Sequence, residues 1–281
     1  MGEPSGRMEG RWGDRRREGQ VSGEGLLALA MEASHAAGKL LLERFRGPVR
    51  GLATKSSPTD VVSDADRDSE RLLVELIRRH RPGDGIVSEE GGDKDTASGL
   101  TWVIDPLDGT VNFLYGRAEW CVSVAAEDAR GAVVGVVHDP ISGETFFAER
   151  GGGAHLDGDL IAVSDEADLS QALIGTGFSY DPATRAAQSD GVPRVLRRVR
   201  DLRRAGSAAL DLAAVACGRL DGFFEADMKA WDRSAGELII REAGGLVTPL
   251  RARIGTAGGV IASGPALHEQ LVALVHGSTS L

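Results

Sequence analysis

The stretch Thr101-Trp102-Val103-Ile104-Asp105-Pro106-Leu107-Asp108-Gly109-Thr110-Val111-Asn112-Phe113 decides how the rest of the chain is read. Its first four residues have β character and deliver Asp105 to the end of an apolar run. Pro106 lacks an N–H and has a fixed φ, so it is expected to break that strand. Asp108 then falls in a turn, Gly109 supplies permissive backbone, and Thr110 is placed to cap a following helix. Two carboxylates three positions apart, followed by Gly-Thr amides, describe a site for metal and phosphate. A surface turn often carries a single Asp-Gly, but the whole string is more particular than such a turn requires.

Upstream, Leu27, Ala30, Met31, Ser34, Leu41 and Leu42 recur at helical spacing over residues 24–45, and Gly47-Pro48 ends the element. The polar segment Lys55-Ser56-Ser57-Pro58-Thr59-Asp60 leads to a second helix opening after Val61. Asp64 and Asp66 sit at its start, where the helix dipole alone would account for them. Ile86-Val87 forms a short strand ending in Ser88-Glu89-Glu90, a place where ligand carboxylates are often displayed.

Downstream, β-type runs at 121–126, 132–138 and 144–148 predict an antiparallel meander. Gly151-Gly152-Gly153 marks a boundary between a metal-binding α+β unit, 23–153, and an α/β unit, 154–281. In the second unit, strands at 172–175, Leu202-Arg203-Arg204, 222–225, near Leu246 and at 259–262 alternate with helices. The expected helices are 192–200, 207–217, 232–243 with Asp232 as its N-cap, and a last one from Pro265. Residues 1–22, rich in Gly, Arg and Glu, read as a disordered tail.

The 281 residues suffice to bury a sizeable core. No apolar run approaches membrane-spanning length, and the start lacks the apolar segment of a signal peptide. Cys121 and Cys217 form no CxxC pair, which favours a reduced, cytoplasmic protein. A net charge of −10 argues against general nucleic-acid binding and requires cations wherever phosphate is handled. The histidines fall at no metal-ligand spacing, and P-loop, GxSxG, GxGxxG and HExxH motifs are absent. Glu89, Asp105, Asp108 and Asp232 offer hard oxygen donors suited to Mg²⁺ or Mn²⁺ rather than zinc. The haloacid-dehalogenase signature is excluded, since it needs two Asp residues two apart and here they are three apart with Pro106 between.

The string from Trp102 to Phe113, together with Trp231-Asp232 through Gly244-Gly245, resembles the inositol monophosphatase family, its actinobacterial members in particular. Supporting blocks are Lys55 to Asp60, Ser88-Glu89-Glu90, Gly206-Ser207-Ala208-Ala209-Leu210-Asp211 and Asp221-Gly222-Phe223-Phe224-Glu225. The resemblance implies a layered αβαβα sandwich with an antiparallel sheet in the first half and a mixed sheet in the second. It also implies a homodimer, lithium sensitivity and two to three Mg²⁺ ions. Glu89, Asp105 and the Leu107 carbonyl would hold one ion, and Asp105, Asp108 and Asp232 a second. Thr110 with Asp66 would orient and deprotonate water, assisted by Glu89, with Lys55 nearby. The Gly109 and Thr110 amides would hold phosphate; Gly206, Ser207, Ala208 and Glu225 would meet the polyol, with Asp108 and Asp232 beside them. Ser207 stands where the family also uses Thr.

The implied reaction is Mg²⁺-dependent hydrolysis of myo-inositol 1-phosphate or a close polyol phosphate by activated water. L-histidinol phosphate is the alternative substrate, because Glu225 could pair with an amine as well as with hydroxyls. A different alternative is a regulatory protein that presents Arg194, Arg197, Arg198, Arg200, Arg203 and Arg204 to a partner.

Overall fold

The computed structural model describes residues 23–47, 51–54, 61–89, 91, 96–250 and 258–277. The N-terminal tail, Lys55 and its neighbours to Asp60, and Glu90 lie outside the described residues. Helix α1 (Gly23–Arg44) is followed by two short strands, β1 (Ala53–Thr54) and β2 (Val61–Val62), paired antiparallel. The α1 stripe that meets the core is Leu26, Leu29, Ala30, Ala33, Ala37 and Leu41. Of the residues expected there, Ala30, Ser34 and Leu41 are buried and Leu27 and Met31 pack against the core, whereas Leu42 faces outward at 42% exposure.

Helix α2 (Asp64–His80) begins at the N-cap Ser63, and Asp66 completes a capping box. The Asp66 carboxylate accepts from Ser63 N at 2.9 Å and Ser63 Oγ at 2.6 Å. A seven-stranded sheet then forms from β3 (Gly85–Ser88), β4 (Thr101–Asp108), β5 (Cys121–Asp128), β6 (Gly131–His138), β7 (Thr145–Glu149), β8 (Ala154–Leu156) and β9 (Asp159–Leu160), in that order. Its first pair is parallel and the rest are antiparallel. A five-residue helix, α3 (Thr110–Leu114), leaves the end of β4.

The second sheet takes β10 (Leu173–Thr176), β11 (Asp201–Arg203), β12 (Gly222–Glu225), β13 (Leu246–Leu250) and β14 (Gly259–Ser263), in the order β11-β10-β12-β14-β13. Parallel pairs join β10 to β11 and to β12; β14 runs antiparallel to β12 and β13. Between β10 and β11 lie α4 (Pro182–Ser189), which replaces an expected polar loop, and α5 (Val192–Leu196), far shorter than the 192–200 helix expected. Helices α6 (Ala208–Ala216), α7 (Ala230–Glu242) and α8 (Pro265–His276) complete the chain. Among the described residues no helix is long and apolar enough to cross a membrane.

Helices α1 and α2 cover one face of the first sheet, α6 and α7 fill the space between the sheets, and α8 covers the outer face of the second. This is the layered sandwich expected. Its strands are apolar on both faces because both are buried. Trp102 and Ile104 point to the α1–α2 side, Val103 to the α6–α7 side. The Gly151-Gly153 turn does not end the first sheet, since β8 and β9 follow it and pair back onto β7. The middle core also takes Val103 and Ala125 from one sheet together with Phe223 and Val260 from the other, so the halves share an interior.

That shared layer predicts one cooperative urea transition for both halves. Ile239→Ala, at a fully buried α7 position, should lower stability by roughly 2–5 kcal/mol and move that single transition as a whole. Two separated transitions would show that the halves unfold independently.

Candidate active site

Strand β4 passes through Pro106 rather than ending there. Asp105 pairs with Ser123 and Asp108 with Cys121, so three steps on β4 oppose two on β5. The extra residue makes a bulge, which re-aims side chains at the strand end. Ser69 Oγ, from α2, donates to the Pro106 carbonyl at 2.8 Å and satisfies it. Gly109 then turns at φ 95°, and a Cβ there would stand 2.7 Å from the Glu119 carbonyl. The N-cap of α3 is therefore Gly109 and not Thr110. The Thr110 hydroxyl lies 2.8 Å from Asp66 Oδ1 and 3.1 Å from the Leu107 carbonyl, able to donate to either.

The bulge opens onto a cavity of about 400 Å³. Glu89, Asp105, Leu107, Asp108, Gly109, Thr110, Gly206, Ser207, Ala208, Glu225 and Asp232 all line it. Asp66 stands behind Thr110, and Lys55 lies outside the described residues. Asp232 is not the N-cap of α7: the helix starts at Ala230 after Lys229. Asp232 sits in the first turn and accepts from the Lys229 N–H at 2.6 Å. Both positions favour a carboxylate, which is why the sequence did not distinguish them.

The acids crowd one another. Burial, and then the charges of Glu89, Asp108 and Asp232, push the Asp105 carboxyl well above the usual range. It accepts one backbone bond, from Leu107 N at 3.0 Å. Asp108 is also raised by burial, against the pull of Ser207 Oγ at 2.6 Å and Ala209 N at 2.7 Å. Burial and Asp108 carry Asp232 to about 8, and burial with Asp232 and Asp108 carries Glu225 to about 8. Oxygen-only donors with mutually raised pKa values fit hard divalent cations, which would relieve the repulsion. As arranged, no group of three or more His, Cys, Asp or Glu among the described residues is drawn together tightly enough to enclose a metal ion.

Among the further side chains that line the cavity without having been anticipated are Tyr180, Arg204 and Asp211. Asp211 had a signal, being the one acid in the apolar helix Ala208–Ala216 and buried there. Tyr180 had none, since it arrives on the loop after β10. Arg204 was read as part of a basic face, which the structure disperses. Helix α5 stops at Leu196; Arg194 donates to the Leu274 and Val275 carbonyls, Arg200 to Gln171, and Arg203 pairs with Asp201. Arg204 and Lys229 are the cations among the described lining residues.

Burial, with Asp108, carries Asp211 to about 8 against the pull of Arg204. A carboxyl raised in the fold binds its proton more tightly there than in the unfolded chain. Its stabilisation is complete below the unfolded value near 4 and is lost as pH rises toward 8. Chelator-treated protein should therefore lose stability between about pH 5 and 8. Asp211→Asn should flatten that slope, by at most about 1.4 kcal/mol per pH unit; thermal melts across that range measure it.

Comparison with known proteins agrees with this geometry. The family model described as "Inositol monophosphatase family" matches residues 23–280. An inositol-1-monophosphatase of Mycobacterium leprae is 44% identical over 78% of this chain and 79% of that protein. A Nus factor SuhB of Escherichia coli K12 is 36% identical over 88% of this chain and 94% of its own. The crystal structure of the extragenic suppressor protein suhB from Bartonella henselae matches with a TM-score of 0.82 at 32% identity, over 92% of this chain and 100% of that one. Sequence, fold and cavity lead to one conclusion: the chain belongs to the inositol monophosphatase family.

Proposed function

We propose that the chain is a Mg²⁺-dependent phosphomonoesterase that hydrolyses myo-inositol 1-phosphate or a close polyol phosphate to the polyol and phosphate. The carrying observation is the set of acids around one cavity, Glu89, Asp105, Asp108, Glu225 and Asp232, at the end of a bulged strand. Glu89, Asp105, the Leu107 carbonyl, Asp108 and Asp232 would hold two to three Mg²⁺ ions, with Mn²⁺ able to substitute. Bound there, the ions supply positive charge that acidifies a water and offsets charge on the leaving oxygen.

The chain's own groups do the rest. With its proton on the shorter contact, to Asp66 Oδ1, the Thr110 hydroxyl would keep its lone pairs to accept from a water and orient it. Asp66 is fully buried and anchored by Ser63, so it holds that hydroxyl in one direction. Thr110 with Asp66 would also help to deprotonate that water, assisted by Glu89, and Lys55 belongs to the same proposed machinery. Backbone N–H groups of Gly109 and Thr110 would bind phosphate oxygens. Gly206, Ser207, Ala208 and Glu225 would receive the polyol hydroxyls, and Asp108 and Asp232 flank both ends. Lithium inhibition and a homodimer belong to the same reading.

Two observations weigh against the alternatives. Arg204, whose charge pulls the Glu225 carboxyl down, disfavours an ammonium beside it and hence L-histidinol phosphate. Of the arginines grouped as a partner surface, Arg194, Arg200 and Arg203 are engaged in intramolecular bonds and Arg204 lines the cavity, which leaves Arg197 and Arg198. The name Nus factor carried by one relative points to a regulatory role for that protein, and RNA binding by this chain at low salt would support such a role here.

A panel of phosphate esters with Mg²⁺, ranked by kcat/KM, should place myo-inositol 1-phosphate ahead of L-histidinol phosphate. The reverse order would overturn the substrate assignment. Asp105→Asn should lower kcat by more than about a hundredfold, beyond what outer-sphere changes around a metal usually cost, with the far-UV circular dichroism spectrum unchanged. Full turnover in that variant would sink the mechanism.

A further inference from the structure

Strands β10 and β12 pair in parallel, with Ile174 opposite Gly222 and Thr176 opposite Phe224. Backbone pairing stops there, where both strands send loops to the cavity at their carboxyl ends. Side chains carry the same register further. Thr176 Oγ1 donates to the Phe224 carbonyl at 2.9 Å. Gly177 lies against the Glu225 carboxylate so closely that a Cβ would stand 2.0 Å from Oε2. Ser179 Oγ donates to Asp227 Oδ2 at 2.8 Å. The pairs 174/222, 176/224, 177/225 and 179/227 all keep one offset.

The two ends of the last contact are built for it. Asp227 holds φ 68°, left-handed backbone that favours glycine and that Asp is among the few side chains to adopt. Ser179 is fixed from the other side: its N–H donates to Gln188 Oε1 at 2.8 Å and its carbonyl accepts from Arg185 at 3.0 Å, both from α4. Next to Ser179 stands Tyr180, and two residues before Asp227 stands Glu225; all four line the cavity, with the Ser179 and Asp227 side chains turned to each other.

We propose that the Ser179–Asp227 hydrogen bond is a latch that holds Tyr180 and Glu225 in fixed relation, and that it sets the preference for polyol phosphates over esters without ring hydroxyls. Ser179 and Asp227 are thus positioning residues. The proposal rests on the phosphatase reading above. A polyol ring presents several hydroxyls at set distances, so recognition depends on the two loops staying in register. An aryl phosphate engages the phosphate end alone and is indifferent to the latch.

The test uses the full chain with Mg²⁺, myo-inositol 1-phosphate and 4-nitrophenyl phosphate. Ser179→Ala and Asp227→Gly should each raise KM for the inositol ester roughly tenfold, the scale of one hydrogen bond to a charged group. They should leave its kcat, and kcat/KM for the aryl ester, within about twofold. Ser179→Thr keeps the hydroxyl and should restore the wild-type KM. An unchanged KM for the inositol ester in both variants overturns the latch. Equal losses on both esters overturn it too, by revealing a general distortion of the site. A wild type inert towards both esters overturns the phosphatase reading and the latch with it, so the two failures are told apart.

Discussion

The structure depends on holding carboxylates together that repel each other. Asp105, Asp108, Glu225 and Asp232 face one cavity, and each has its pKa raised by burial together with its acidic neighbours or by burial alone. Like charges in a low-dielectric site push apart, so the backbone beneath them must be stiff. Strand β4 supplies that stiffness. Trp102, Val103 and Ile104 are buried on the two faces of the sheet, and Trp102 also donates through Nε1 to Asp84 at 2.9 Å. The bulge at Asp105–Asp108 turns the strand end toward the cavity, and Ser69 satisfies the carbonyl that it frees.

The second half of the chain reaches this strand through the middle helical layer. Ser207, at the N-cap of α6, bonds Asp108, and so does the Ala209 N–H in the first turn. The first turn of α7 brings Asp232 to the same place. Two helix starts therefore converge on the end of one strand, where their N–H groups favour negative charge. The interior around α6 and α7 draws residues from both sheets, so the site and the core are continuous. A change in packing between the sheets is felt at the carboxylates.

How much was legible in the sequence follows from how local each signal is. The stretch around Asp105 and Asp108 carries its own strand and turn signals, so both acids were expected at the cavity they line without the fold. Asp232 and Glu225 were found through motifs of similar compactness. Caps were assigned less well: Thr110 and Asp232 sit inside helices that start at or before them, because a helix start can move by two residues without changing which residue types suit it. Pro106 was expected to end a strand that instead absorbs it as a bulge, an outcome set by pairing with β5. The triple glycine at 151–153 marked a turn within a sheet rather than its end. Tyr180 and Arg204 were missed because their places depend on where two distant loops meet, and no spacing in the chain encodes that.

A division of labour follows from these origins. The proposed metal and phosphate ligands lie mostly on the first sheet and α3, whose bonds are made within a short span of sequence. The groups proposed to meet the polyol, Gly206 to Ala208 and Glu225, and the cavity-lining Tyr180 and Arg204 come from loops and strand ends of the second sheet. Those loops are tied to each other by a few side-chain bonds rather than by a continuous ladder. Substitutions among them can reshape what the cavity accepts while the ligand strand keeps its two buried faces. On the proposed roles, chemistry falls to the part of the fold with most to lose from change, and selectivity to the part with least. On this scaffold, relatives can share the carboxylate centre and still differ in the ester they bind.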